Sequence, residues 1–227
     1  MPAPVSVIIP TLNAANTLGP CLGAVAAGLQ HGIIAELIFA DGGSDDDIAE
    51  IAELSGARLI QAPKGRGSQL GNAAKSAKAD WLLFLHSDTV LAQNWPQTIL
   101  SHIANHPDKA AYFRLKFDTN GFGAKMVASW ANWRSRAFSL PFGDQGLLVS
   151  RQLYDQIGGY ADIPLMEDVQ IAKALKGKFK ALDCIATTSA ARYRQQGWIR
   201  RSFRNLAILM QYKLGVNPAR LAQKYYR

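Results

Sequence analysis

The chain has 227 residues, is 48% apolar and carries a formal charge of +8. That length suffices for one α/β domain with a core of its own, and no uncharged apolar run reaches the roughly 18 residues of a membrane span. Cys21 and Cys184 lie far apart, outside any CxxC spacing, and read as reduced thiols of a cytosolic protein.

The charge is uneven. Residues 1–168 hold 12 Lys/Arg against 16 Asp/Glu, whereas residues 169–227 hold 13 Lys/Arg against one acid, Asp183. Such a basic tail suits nucleic acid, anionic lipid, a phosphorylated substrate or a solvated face. "MPAPVSVIIPTLNAAN" has neither a basic n-region nor a long apolar core, so no signal peptide is expected.

In chain order, "VSVII" (5–9) reads as a buried strand ending at Pro10, and Asn16 as the cap of a helix running towards Gln30. "ELIFAD" (36–41) is a second strand, "GGSDD" a turn, and Ser44 or Asp45 the cap of the helix that follows, whose first turn is acidic as the helix dipole prefers. "ARLIQAP" (57–63) is a third strand, residues 64–79 a glycine-rich start to a small-residue helix, "DWLLFL" (80–85) a fourth strand, and 94–105 another helix. Beyond these come a strand over 110–117, a helix over 122–139, a strand over 143–150 and a short helix closed by Gly158-Gly159. A helix over 164–177 starts with Glu167 and Asp168, one or two strands follow over 179–190, and a basic helix begins near Trp198.

The early strands are continuous apolar runs rather than alternating ones, the pattern of a parallel sheet covered on both faces. Ligands of such sheets sit at the carboxyl ends of the strands. Here those ends are Pro10-Thr11-Leu12-Asn13, Asp41-Gly42-Gly43-Ser44, Pro63-Lys64-Gly65-Arg66 and His86-Ser87-Asp88. "PTLNAAN" lacks the glycines of a dinucleotide turn, and "APKGRGSQLGN" has the wrong order for a P-loop.

Each candidate residue admits two uses. Asp41, before Gly-Gly, suits a nucleotide's ribose or base edge, or an Asx-turn. Lys64 and Arg66 suit a phosphate near a helix N-terminus, or a solvated loop. Asp88 suits Mg²⁺ or Mn²⁺ held largely by diphosphate oxygens, or a turn cap; His86 suits the same metal or an ordinary hydrogen bond. Glu167 and Asp168, beside the apolar run 163–166, suit proton transfer, or a helix start favoured by the dipole. "FGDQG" (142–146) is another polar insertion among apolar residues.

Taken in order, "VSVIIPTLNAANTL", "ADGGSDD", "KGRGSQLGNAAKSAKADWLLFLHSDT" and "FGDQGLLVSRQLYDQIGGYADIPLMEDVQIAKAL" resemble the inverting family 2 glycosyltransferases of GT-A fold, over about residues 3–215. The H-S-D motif and the tail "LGVNPARLA" further resemble a bacterial subgroup linked to radical-SAM/selenodomain neighbours and arsenosugar biosynthesis. The resemblance implies a Rossmann-like, mostly parallel central sheet with helices on both faces. It implies a GT-A domain over 1–196 and a basic helical extension over 197–227. It also implies transfer of a sugar from a nucleotide-diphospho-sugar, UDP-type rather than GDP-type, to an acceptor hydroxyl, with Mn²⁺ or Mg²⁺.

By the same resemblance, Asp168 is the base and Glu167 orients it or contacts the acceptor. Pro10, Thr11, Asn13, Asp41, Lys64, Arg66, Gln69, Ser87, Asp88, Asp144 and Gln145 surround the nucleotide-sugar. Asp88 holds the metal, and His86 stands where the family usually has an acid. Arg192, Arg194 or Arg200 add positive charge for the departing diphosphate. The acceptor is a small molecule or a lipid-linked one.

The tail from 198 to 215 places Phe203, Leu206, Ala207, Leu209, Met210 and Leu214 on one helix face beside Arg200, Arg201 and Arg204. That face suits peripheral contact with the inner face of an anionic membrane, packing on its own domain, or a homodimer. No nucleic-acid recognition motif accompanies the charge. The competing functions are a nucleotidyltransferase on a similar sheet, which would want a basic glycine-rich signature after the first strand, and a non-catalytic nucleotide-sugar-binding protein.

Overall fold

The computed structural model describes residues 3–226. Eight strands form one sheet: β1 (Val5–Thr11), β2 (Ile34–Asp41), β3 (Arg58–Gln61), β4 (Trp81–Phe84), β5 (Thr89–Leu91), β6 (Ala110–Phe117), β7 (Leu147–Ser150) and β8 (Phe179–Thr188). Among the described residues, ten α-helices surround it: α1 (Ala15–Gln30), α2 (Ile48–Ser55), α3 (Arg66–Ser76), α4 (Trp95–Asn105), α5 (Phe122–Phe138), α6 (Arg151–Gln156), α7 (Glu167–Ala174), α8 (Ala191–Gln196), α9 (Trp198–Lys213) and α10 (Pro218–Tyr226).

The strand order is β3-β2-β1-β4-β7-β6-β8-β5. The first four strands are mutually parallel; β7 and β5 run against their neighbours, and β6 pairs with β8 in parallel. The sheet is therefore mostly parallel, as expected. Its two faces explain the unbroken apolar runs. Val5, Val7 and Ile9 of β1 enter one core with Leu18, Phe39 and Trp95, while Ile8 enters the other with Ile38, Leu82 and Leu175. Neither side of the strand meets water, so alternation has no cause.

Several element starts differ from expectation, each through a partner distant in sequence. Helix α1 begins at Ala15, not at an Asn16 cap; its N-cap, Ala14, offers no side chain, and Asp46 Oδ2 accepts the Ala15 N–H at 2.8 Å. Helix α2 begins at Ile48, because Ser44 bonds Asp41 and the Asp45 N–H bonds Asn13 Oδ1 instead of capping. The strand expected over 143–150 starts only at Leu147, after a 3₁₀ turn over Gly143–Gln145. Residues 179–188 form one strand, with a register shift opposite Tyr112–Arg114. Strand β5 was not expected, since three residues carry no readable period and only its pairing with β8 defines it.

The C-terminal helices pack on the domain. Leu209 of α9 joins Leu140, Val169 and Ala172, and Ile208 joins Leu165 and Leu221. Of the apolar stripe expected on α9, only Leu209 is buried, while Phe203, Leu206, Ala207, Met210 and Leu214 stay in water; Ile208, outside that stripe, is buried beside Leu209. Cys21 and Cys184 are buried and unpaired. Among the described residues, no helix is long and apolar enough to cross a membrane.

Trp95 anchors α4 against the sheet. It is fully buried, and its Nε1–H donates to the Ala24 carbonyl at 2.9 Å. Trp95→Ala should cost about 3–5 kcal/mol, read as a lower urea midpoint at unchanged m-value. A loss below about 1 kcal/mol would mean that this contact does not hold α1 and α4 together.

Candidate active site

The carboxyl ends of β1 and β4, the 3₁₀ turn before β7 and the start of α7 meet at one cavity of about 420 Å³. Of the residues singled out in the sequence, Pro10, Asn13, Arg66, His86, Ser87, Asp88, Asp144, Glu167 and Asp168 line it. Four carboxylates and a basic side chain thus converge from segments up to 102 residues apart in sequence.

The acids of α7 are placed by backbone packing on α3. A Cβ at Gly67 would collide with the Ala161 carbonyl oxygen and lie 2.7 Å from that of Ile163. No larger residue fits without moving that chain, so loop 160–164 lies directly on the helix. Ser68 Oγ donates to Asp162 Oδ1 at 2.6 Å and pins the loop laterally. The chain then turns through Met166, a non-glycine residue in left-handed conformation at φ 69°, and α7 begins with Glu167 buried and Asp168 beside it. Such strain persists only where surrounding structure enforces it. Asp168 Oδ2 accepts the Gly143 N–H at 3.1 Å, tying the acid to the turn that carries Asp144. The imidazole of His86 lies where a Cβ at Gly143 would be, 2.5 Å from Nε2.

The cavity's electrostatics follow from burial in a crowd of like charges. Burial, followed by the charge of Asp168, pushes the Glu167 carboxyl above its ordinary range; Arg66 opposes this. Burial raises Asp144 from 3.8 to about 6, with Arg134 opposing, Asp168 and Asp88 adding, and Arg66 opposing. Asp144 Oδ1 is buried without a hydrogen-bond partner among the described residues. Burial, then the charges of Arg66 and Arg192, hold His86 well below the usual imidazole range, so its ring is neutral near pH 7.

Other expected ligand-binding residues form a layer beneath the cavity. Asp41 is buried and accepts four hydrogen bonds: from Thr11 Oγ1, the Gly43 N–H, the Ser44 N–H and Ser44 Oγ. Burial alone would raise its pKa, but the bonds from Ser44, Thr11 and Gly43 outweigh it and lower the pKa. Four bonds use the acceptor capacity of a carboxylate, so in this structure Asp41 ties its own loop, the Asx-turn use. Gln69 Nε2 donates to the carbonyls of Thr11 and Ala40, both at 2.7 Å, and joins the ends of β1 and β2. Thr11 faces Asp41 because the two are register partners.

Gln145 is fully buried, accepting from Ser135 Oγ at 2.6 Å and donating to the Phe113 carbonyl at 3.2 Å. Lys64 is exposed and outside the cavity wall. Thr11, Asp41, Gln69, Gln145 and Lys64 thus stand outside the wall of this cavity. Of the three candidate cations, Arg192 lines the cavity, Arg194 pairs with Asp118 at 3.4 Å, and Arg200 is exposed and not in the wall. The sequence reading missed Phe117, Phe142, Tyr193 and Arg201 as wall residues. The basic-aromatic string "ARYRQQGWIRR" was the available signal for two of them.

Among the described residues, no group of three or more His, Cys, Asp or Glu could hold a metal ion by itself. A Mg²⁺ or Mn²⁺ shared with a diphosphate needs only one or two protein carboxylates. Asp88 in the wall and the neutral ring of His86 fit that lighter requirement.

A buried acid whose pKa is raised binds its proton more tightly in the folded state. For Asp144 the fold is favoured below about pH 4, loses stability as pH rises to about 6, and does not recover above that; Glu167 acts in the same sense. Asp144→Asn and Glu167→Gln should each raise stability at pH 8 by about 1–2 kcal/mol, with allowance for solvent at the cavity, and by nothing at pH 4. Urea midpoints at the two pH values measure this. Equal gains at both would assign the effect to packing rather than charge.

Known proteins share this architecture. A mannosyltransferase from Pyrobaculum calidifontis, solved with GDP-Man and Mn²⁺, superposes with a TM-score of 0.65 over 95% of this chain and 66% of its own, at 17% identity. Glucosyl-3-phosphoglycerate synthase from Mycobacterium tuberculosis, solved with Mn²⁺, UDP and glucosyl-3-phosphoglycerate, superposes at 0.55 over 82% and 70%, at 20% identity. At such identities the likeness shows the fold, that of GT-A glycosyltransferases. A PGL/p-HBAD biosynthesis glycosyltransferase from Mycobacterium bovis (strain BCG / Pasteur 1173P2) is 37% identical over 99 residues, which are 40% of this chain and 38% of that protein. The matched segment is thus about two fifths of that curated relative's length. The family model for glycosyl transferase family 2 matches residues 6–161, and with the acidic cavity on this sheet the chain belongs to that family.

Proposed function

We propose that the chain transfers a sugar, with inversion, from a nucleotide-diphospho-sugar to an acceptor hydroxyl. The observation that carries this reading is the meeting of Asp88, Asp144, Glu167 and Asp168 with Arg66 and Arg192 in one cavity at the strand ends. In such a transfer the acceptor O–H gives its proton to a carboxylate. Its oxygen bonds to the sugar's C1 as the C1–O bond to the diphosphate breaks, and the electron pair leaves on the phosphate oxygen. Asp168, held by the Gly143 N–H, is the assigned base. Glu167, shifted towards its neutral form, keeps a second negative charge from accumulating beside that base. Arg66 and Arg192 meet the charge that develops on the leaving group.

Asp88, with His86, would hold a Mg²⁺ or Mn²⁺; when bound, the ion supplies charge neutralisation of the diphosphate. The Mn²⁺ complexes of the two structural relatives support divalent-metal use. A UDP donor follows the sequence resemblance, while the relatives were solved with UDP in one case and GDP-Man in the other. The narrower likeness to the radical-SAM-associated subgroup rests on the H-S-D and tail motifs alone. Residues 1–196 serve as the catalytic unit and 197–227 as an extension that completes its wall.

Calorimetry with UDP, GDP and their sugars, with and without Mn²⁺, tests the donor assignment; absence of binding under every condition would sink it. Asp168→Asn should keep donor binding and lose transfer by about 10²–10⁴-fold. Transfer at the normal rate by that variant would move the base elsewhere.

A further inference from the structure

A second, larger hollow of about 730 Å³ runs between the outer faces of α5 and α9. Its walls include Trp130, Phe138, Phe203, Leu206 and Met210, each about half or more exposed. Large apolar side chains gathered on one surface mark a contact site rather than scattered exposure. The hollow is continuous with the acidic cavity: Phe142, Asp144, Tyr193 and Asn205 belong to both walls. At that junction, Asp144 Oδ1 and Asn205 Oδ1 are buried acceptors without a partner among the described residues. Arg134, Lys173, Lys176 and Lys213 also line the hollow, and among the described residues Asp144 is its one acid.

These features specify an occupant. Its body is apolar, since aromatic and aliphatic side chains face it. Its inner end both donates and accepts hydrogen bonds, as a hydroxyl does, since the orphaned Asp144 and Asn205 oxygens share this wall with an orphaned Arg134 Nη2 and Ser202 Oγ. Any negative group it bears meets lysines. The shape argues against a flat membrane surface: Ile208 and Leu209 are buried in the domain, and what α9 leaves exposed is one wall of a concave groove shared with α5. Resting on the reading of the acidic cavity as the donor site, we infer that the acceptor is a hydroxyl-bearing amphiphile. Its alkyl or aromatic body lies in the α5–α9 groove and its hydroxyl reaches the acidic cavity at Asp144.

The test uses n-alkyl β-D-glucosides from methyl to decyl, below their micelle concentrations, with binding followed by calorimetry and by tryptophan fluorescence, to which Trp130 contributes. Affinity should rise by about two- to fourfold per methylene until the groove is full, with no binding of the methyl glucoside. Leu206→Glu, at an exposed position where the fold tolerates charge, should weaken decyl glucoside binding tenfold or more and leave UDP binding with Mn²⁺ unchanged. Binding that ignores chain length, or that Leu206→Glu leaves intact, overturns the inference.

UDP or GDP binding without alkyl glucoside binding overturns the acceptor class alone. Failure of every nucleotide overturns the donor reading and the acceptor class with it. Sedimentation with anionic phospholipid vesicles in place of glucoside binding would make the groove a membrane contact, and a dimer in light scattering that Leu206→Glu dissolves would make it an interface between copies. Either result overturns the inference.

Discussion

The carbonyl oxygens of Ala161 and Ile163 occupy the space that a side chain at residue 67 would need, and the site depends on that approach. Because α3 presents a glycine there, loop 160–164 can lie on the helix backbone. Because the loop lies there, the chain reaches Met166 at an angle that only a left-handed residue can take. Helix α7 therefore starts with two acids in the cavity instead of in solvent. The glycine-rich run after β3 looked like a loop made to approach a phosphate. Part of its function is to let the protein approach itself.

The cavity so assembled is electrostatically expensive. Asp144 and Glu167 are pushed towards their neutral forms by burial and by neighbouring carboxylates, and Arg66 and Arg134 offset only part of this. Such an arrangement weakens the fold near neutral pH, and natural proteins keep weaknesses of this kind mainly at working sites. The layer below is built in the opposite way. Asp41, Thr11 and Gln69 have their polar atoms matched to neighbours, and they hold the ends of β1 and β2 rigid under the cavity floor. A site with a strained upper surface needs a satisfied support.

The C-terminal helices complete the molecule in two senses. Ile208 and Leu209 seal apolar surface around α7, while Arg192, Tyr193 and Arg201 turn basic and aromatic groups into the cavity wall. The same helix leaves a concave apolar face beside α5, so the tail's charge and its oiliness serve different hollows. The net positive charge of residues 169–227 is thereby resolved into particular side chains: some face the acids, some line the groove, and some, like Arg194 on Asp118, form surface pairs worth little.

Much of the fold was legible in the residues alone. Unbroken apolar runs of β-branched and aliphatic residues specified the early strands, short polar punctuation gave a mostly parallel sheet, and the rule for such sheets located the ligand edge. Asp88, Asp144, Glu167 and Asp168 could be picked out as candidates because an acid at the end of an apolar run is unusual locally. What the residues could not reveal is which polar groups face the cavity and which hold it up. Asp41 and Asp88 look alike as strand-end acids. The register that sets Thr11 beside Asp41, together with the loop that brings Ser44 back onto it, turns the first into a support, while Asp88 is left facing the cavity. The caps of α1 and α2, strand β5 and the groove between α5 and α9 were hidden for the same physical reason. Local propensity determines what an element is, but its partners come from dozens of residues away, and only the packed chain decides which side chains they satisfy and which they leave open.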